Sequence, residues 1–442
     1  PSQSASMDRD PSAKDLIKKK LIVNGRVELA EILSKHWDTA LEEYAQSLWE
    51  ASGHESNLEK ELVQSFQKEF LRVGYTEEQA ALWIESLERT RTLQTATHLT
   101  ASEGPTFFAT HHLALMGIPD GESYLVAAYS GVPYANAAWS GCLNFSAELE
   151  LEEILSAKAP GFSVLLKSDR DRRRDTSERR ISLIPGTFRD AQVFGSEISE
   201  KQESLSAHWN DSLKPLMPSA GSGSSFSSWA SGFCHNQAKK LFPDSNIVYF
   251  DINEVIRNYL LEILPQSQNR FRGMLLNAKH FQKILGSSGV ETPLFSINSK
   301  HGNRIRMEPL FLRENRLEGQ NYSMNMEEEK LVQMLQERTL CPGLFIGFSV
   351  LVYLNGLNCL GSFEQVEYLA RFKKIWQHFE FEGAVPQEQL QTRRLSCGRM
   401  ISKDGKPVYP LDLILGKKAE LEKPQTFSEW MEPLFPRLGL HS

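Results

Sequence analysis

The sequence predicts an α/β protein: a Rossmann-like parallel-sheet core with an N-terminal helical subdomain and a C-terminal α/β portion. Three observations carry that expectation. Residues 1–93 follow a helical period. Short continuous apolar runs then alternate with helical patterns, the texture of strands buried on both faces. The chain of 442 residues, 40% hydrophobic and 24% charged, is long enough for two or three closely packed domains. The expected boundaries are 1–93 for the helical subdomain, 94–300 for the core, and 301–442 for the C-terminal portion with its irregular tail.

From Val27 to Ala51 the residues Leu29, Ile32, Leu33, Trp37, Leu41, Tyr44 and Leu48 recur at three- and four-residue steps, an amphipathic stripe. Asn57 is placed to cap a helix from Leu58 to Val73, and Thr76-Glu-Glu-Gln has the spacing of a capping box. Thr95 to Leu99, Ser123 to Ser130, Phe162 to Lys167 and Asn246 to Asp251 read as strands. Helical patterns at Thr106 to Met116, Ser227 to Leu241 and Asn253 to Ile263 separate them. Lys167 to Arg180 is dense in charge of both signs and reads as a solvated loop or an anion clamp. Ser219 to Ser228 reads as a flexible loop before a helix, without the Gly-Lys-Ser/Thr ending of a P-loop. Leu340 to Leu354 is apolar, but its roughly 15 residues fall short of the roughly 20 a membrane helix needs, so it reads as core. Met326 to Glu380 reads as helix, apolar segment, turn and helix, and the proline-bearing tail beyond Lys403 as an irregular surface extension.

Composition narrows the partners. A net charge of −7 without a basic stripe speaks against nucleic acid. Cys142, Cys234, Cys341, Cys359 and Cys397 are widely spaced and include no CxxC pair, which argues against a zinc knuckle or a disulfide framework. Pro1 to Lys20 has no apolar stretch of the kind a secretory leader uses. The expectation is a cytoplasmic protein that takes small-molecule substrates, without membrane or nucleic-acid partners and compatible with a homodimer.

Candidate chemistry concentrates at the expected strand ends, where open α/β sheets bind ligands. His98 and Glu103, on a loop closing with Gly104-Pro105, are candidates for general base and acid or for orienting a substrate amine. His111 follows in the next helix, where an ordinary helical role is the alternative. Tyr129 and Asn136 flank a Gly/Pro turn and would orient a substrate through hydrogen bonds. Asp251 and Asn253 follow the next strand, with helix capping as the plainer reading of Asn253. Arg306, Glu364 and Tyr368 complete the candidate substrate site, and Glu364 with Glu367 also fits a solvated helix end. The sequence carries no HExxH, GxSxG or Walker motif.

Taken together these segments resemble the cysteine-adding enzyme family of bacillithiol synthesis. That family's Gln-Gln loop ending in Gly-Pro is similar to Thr97-His98-Leu-Thr-Ala-Ser-Glu-Gly104-Pro105. Its strand and downstream helix are similar to Phe242 to Ile263. Its late pattern is similar to Arg304 to Leu310, Cys341 to Leu354, and Gly361-Ser-Phe-Glu364 with Tyr368, closing on Pro386 and Arg393-Arg-Leu-Ser396. Ser130-Gly-Val-Pro-Tyr134 stands where the family has Glu-Asp-His-Asp, and His111 stands at its lysine.

The resemblance implies a Rossmann-like core and condensation of an amino acid with a small acceptor. The expected function is therefore a ligase-like biosynthetic enzyme of specialised metabolism, joining an amino-acid-like amine or thiol to a small acceptor. An adenine nucleotide is its candidate cofactor. The alternatives are a transferase using a nucleotide-activated donor, or a non-catalytic binding protein descended from such an enzyme.

Overall fold

The computed structural model describes residues 12–51, 56–130, 142–146, 178–182, 211–218, 225–301, 304–379 and 383–440, the side chains of 142, 178–182 and 299–306 excepted. Among these residues five helices come first: α1 (Ala13–Val23), α2 (Val27–His36), α3 (Leu41–Ser47), α4 (Lys60–Val73) and α5 (Glu77–Thr90). The stripe expected from Val27 to Ala51 is thus two helices. The chain between them is held by the C-terminal segment: Leu41 donates to Gln425 O, while Phe427 and Ser428 donate to Thr39 O and Trp37 O. Helix α4 begins after Glu59 rather than after Asn57, because the Asn355 side chain takes the Glu59 N–H at 2.8 Å. Thr76 and Gln79 do form the capping box of α5.

The next elements alternate. They are β1 (Thr92–Gln94), α6 (Pro105–Gly117), β2 (Tyr124–Ala128), β3 (Cys142–Ser146), β4 (Glu178–Ser182), α7 (Phe226–Leu241), β5 (Ile247–Asp251) and α8 (Ile252–Ile263). Two short helices follow, α9 (Arg270–Leu276) and α10 (Ala278–Ser288), then β6 (Phe295–His301), β7 (Arg304–Arg313), β8 (Arg316–Glu318), β9 (Ser323–Asn325), α11 (Glu328–Gln336) and β10 (Leu340–Pro342). The apolar stretch continues as α12 (Leu344–Phe348) and a π-helical turn, Ser349–Leu354, leading into β11 (Asn358–Leu360) and α13 (Phe363–Trp376).

The fold is mixed α/β, with a parallel sheet in the order β11-β1-β2-β5. Its strands alternate between two cores. Leu93, Leu125, Ala127, Val248, Phe250 and Cys359 face Phe66, Phe70, Trp83, Val255 and Tyr259 of α4, α5 and α8. Tyr124, Val126, Ile247, Tyr249 and Leu360 face Phe108 and Leu113 of α6 and Tyr44 of α3. Apolar side chains on both faces explain the continuous apolar runs. A second, antiparallel sheet runs β10-β6-β7-β8-β9, and β3 pairs with β4.

Several expectations shift. The strand expected at Thr95 to Leu99 ends instead at Gln94, whose side chain accepts the Ala96 N–H at 2.9 Å and draws the chain out of the ladder. Beyond that point only His98 bridges to Tyr129. The tail is not a surface wrap: α14 (Pro410–Ile414), α15 (Phe427–Met431) and a 3-10 turn, Glu432–Leu438, bury Leu411, Phe427, Met431 and Leu434. Residues 162–167, most of the charged run (167–177) and 219–224 lie outside the described residues, while Glu178 to Arg180 open β4. No helix among the described residues is long and apolar enough to cross a membrane. Where α6 ends, Gly117 lies so close to α3 that a Cβ there would stand 2.1 Å from Ala45 O.

Candidate functional site

The C-terminal ends of the four parallel strands open into one cavity of about 790 Å³. Thr95, Ala96 and His98 follow β1, Tyr129 follows β2, Ile252 and Asn253 follow β5, and Ser362, Phe363 and Glu364 follow β11. The N-terminal turns of α6, α8 and α13 therefore meet its wall, each with N–H groups that favour a negative charge. Val290 to Pro293, Pro342 to Leu344, Gly347, Phe348 and Leu351 close the opposite side. This is the place and size of a small-molecule site in an open α/β sheet.

The polar side chains of the cavity differ in how far they are already engaged. Thr95 Oγ1 reaches Leu360 O and Gln365 Oε1, both at 3.0 Å, and Gln365 Nε2 donates to Cys359 O at 3.1 Å. These bonds fasten β1 to the start of α13. Glu364 accepts from Arg26 Nη2 at 2.8 Å, and the Arg26 guanidinium lies over the Phe363 ring. His98 is half-buried, with its ring edge against Phe107 at 5.6 Å between centroids and no hydrogen-bond partner among the described residues. Burial pushes its pKa down to about 4, so the imidazole is neutral near pH 7. Tyr368 stands between Phe348 and Phe372 at 5.5 and 5.4 Å, and burial raises its hydroxyl well above the ordinary value, keeping it protonated. Arg371 has no hydrogen-bond or ion-pair partner among the described residues. Glu364, Tyr368 and Arg371 sit at i, i+4 and i+7 of α13, which places them on one face.

Of the residues expected from sequence, His98, Tyr129, Asn253, Glu364 and Tyr368 come together here. Asn253 is already committed: Nδ2 donates to Cys341 Sγ at 3.3 Å and Pro342 O at 3.4 Å. The cap of α8 is Asp251, which accepts the Asn253 N–H at 2.9 Å. Asp251 also accepts from Ser130 Oγ and Ser227 Oγ at 2.8 and 2.7 Å, and burial and then Glu254 raise its carboxyl pKa. Glu103 does not share the cavity with His98. Its Oε2 lies 2.8 Å from His111 Nε2, and its Oε1 accepts from the Tyr249 hydroxyl at 2.8 Å. His111 Nδ1 meets the Tyr124 hydroxyl at 2.9 Å, so all four form a buried set under α6. Gly104 is the extended N-cap of α6. Glu367 turns away from the cavity and accepts the Leu29 N–H of α2 at 2.9 Å. Asn136 lies outside the described residues, and Arg306 is described only as backbone of β7.

Sequence reasoning missed Arg371, Gln365, Thr95 and Phe348. Arg371 had a signal, its spacing from Glu364 and Tyr368, whereas Phe348 reaches the site through the folding of a distant apolar run. Among the described residues no group of three or more His, Cys, Asp or Glu is placed to hold a metal ion.

A comparison with known proteins adds no relative: no protein-family profile matches the chain, and no curated protein matches it in sequence.

Proposed function

We propose that the cavity is the active centre of a biosynthetic enzyme, built on a Rossmann-like core, that condenses an amino-acid-like amine or thiol with a small acceptor. One observation carries this reading. A neutral imidazole, a carboxylate, a protonated phenol and an unengaged guanidinium share one cavity at the carboxyl ends of parallel strands. Glu364 gives one carboxylate oxygen to Arg26, and its other oxygen would hold a protonated amine. The neutral His98 ring would accept a proton from the nucleophile as the new bond forms, which a protonated histidine could not do. The Tyr368 hydroxyl and the helix N-termini would stabilise negative charge developing on the acceptor. In this reading Glu103 acts on the fold and not on the substrate, because it is spent on His111 and Tyr249. An adenine nucleotide is the candidate for activating the acceptor. The open cavity favours an enzyme over a non-catalytic descendant, in which bulky side chains would be expected to fill it.

The test is a thermal-shift panel of amino acids, small thiols, ATP, ADP and nucleotide sugars. A true ligand at a hundred times its Kd stabilises the fold by about 2.7 kcal/mol. An amino acid or thiol is expected to raise Tm in the wild type and to lose that effect in Glu364→Gln. A response to nucleotide sugars alone would replace this reading with the donor-dependent transferase.

A further inference from the structure

The cavity is too large and too apolar for an amino acid alone. At about 790 Å³ it lies well inside the range that takes a drug-sized ligand. Much of its wall is apolar, formed by Ile256, Val290, Leu344, Phe348, Leu351 and Phe372. Phe348, Tyr368 and Phe372 form a continuous aromatic surface there, with centroid steps of 5.5 and 5.4 Å. Rings so arranged offer a partner ring stacked or edge-on contact.

Arg371 follows Tyr368 by one helical turn on the same face, which sets their Cβ atoms roughly 5–6 Å apart. Its guanidinium has no hydrogen-bond or ion-pair partner among the described residues, whereas Arg26, Arg72 and Arg257 each hold a carboxylate. Guanidinium is the side chain best shaped for a bidentate carboxylate. Glu364 lies two turns away at the opposite end of the stripe. Glu364 is already paired with Arg26 at 2.8 Å, so Arg371 is the charge on this stripe left for a carboxylate.

We infer that the acceptor half of the site takes an aryl carboxylate: a planar ring against Phe348, Tyr368 and Phe372, with a carboxylate on a short linker held by Arg371. The inference rests on the cavity being a substrate site, and it assigns the chemical class of the acceptor. The amine-bearing substrate occupies the Glu364 and His98 end.

Calorimetric titration of the full chain with 3-phenylpropanoate, its amide and propanoate tests this. The acid is expected to bind at least about tenfold more tightly than either of the others, a difference of about 1.4 kcal/mol. Arg371→Met should make acid and amide equal while leaving the unliganded Tm unchanged, since Arg371 is exposed. Phe348→Ala should weaken both but keep the preference for the acid. Equal binding of acid and amide by the wild type, survival of the preference in Arg371→Met, or no binding of the acid at millimolar concentration overturns the inference. An amino acid that binds while no aryl acid does would sink this assignment and leave the proposed condensation standing. Aryl acid binding without any amino-acid or thiol response would do the reverse.

Discussion

Arg72 grips Glu69 through two nitrogens, Nε at 2.6 Å and Nη2 at 2.9 Å, and the carboxylate so held has no solvent exposure. Glu69 in turn accepts the Asp251 N–H at 2.8 Å, which ties α4 to the end of β5 beside the cavity. Arg72 also donates to Ser225 and Ser227 at the start of α7. Burial pushes the Glu69 carboxyl up to about 7 against the pull of Arg72, so removing the cation would leave a buried carboxyl that must stay charged and unpaired or take up a proton. Arg72→Met is expected to cost about 3–5 kcal/mol in urea unfolding, and adding Glu69→Leu to it should recover part of the loss. A loss below about 1 kcal/mol would mean that the carboxyl takes up a proton or is reached by water.

Glu254 belongs to the same cluster and carries the pH dependence. Burial pushes its pKa upward, but Arg72, Arg257 and Arg338 outweigh burial and hold it at about 2. A carboxyl depressed in the folded state stabilises the fold fully above its unfolded pKa and loses that effect as pH falls through the folded value. Stability should therefore drop from about pH 4.5 towards pH 2, by about 3 kcal/mol from this group. Glu254→Gln should flatten that part of the curve in a denaturation series across pH, and an unchanged slope would exclude Glu254 as its source.

The separation of His98 from Glu103 predicts a split between two variants. His98→Ala should remove turnover and leave the fold intact, because the ring makes no hydrogen bond among the described residues. Glu103→Gln should leave cavity ligands bound with wild-type affinity and cost about 1–3 kcal/mol of stability, since the amide cannot serve both His111 and Tyr249 as the carboxyl does. Full turnover in His98→Ala would remove the imidazole from the mechanism.

His98 also predicts where activity should fall with acid. Its pKa of about 4 means that the base form persists well below the ordinary histidine range. The acid limb of the rate profile should lie near pH 4 and not near 6.5. Folding responds in the same direction: between those values the unfolded chain binds the proton and the folded chain does not, so stability falls as pH drops from 6.5 to 4. An NMR titration of the His98 ring with an inflection near 6.5 would contradict both.

Gly117 sets two effects against each other. Alanine is the better helix former by roughly 0.5–1 kcal/mol. Its Cβ, however, would stand 2.1 Å from Ala45 O, and both backbones would have to separate. The clash should win: Gly117→Ala is expected to destabilise by about 2–3 kcal/mol in chemical denaturation. A stabilised variant would show that α3 and α6 do not approach this closely.

What the sequence made legible was local. The apolar runs of β2 and β5, the helical periods of α6, α7 and α8 and the capping box at Thr76 are each written within a few residues. The antiparallel sheet was not, because β7 mixes arginines, an acid and Pro309 with its apolar positions and shows no clean alternation. The boundary of β1 depends on a single side-chain bond from Gln94, which periodicity does not register. The site was legible in part: His98, Tyr129, Glu364 and Tyr368 sit at strand ends, the positions that sequence reasoning searches. Glu103 misled because nearness in sequence to His98 said nothing of Tyr249, whose hydroxyl holds it in the buried set under α6. Phe348 acquires meaning only when α12 meets α13.

The pairing of Thr92 with Asn358 also has a consequence for synthesis. A ribosome delivers β1 long before β11, so the nascent chain must carry an unpaired strand edge until β11 emerges. Long-range parallel pairing of this kind forms slowly, and an open edge invites neighbours. A polypeptide terminated before residue 358 leaves β1 without that neighbour and should aggregate more readily than the full chain.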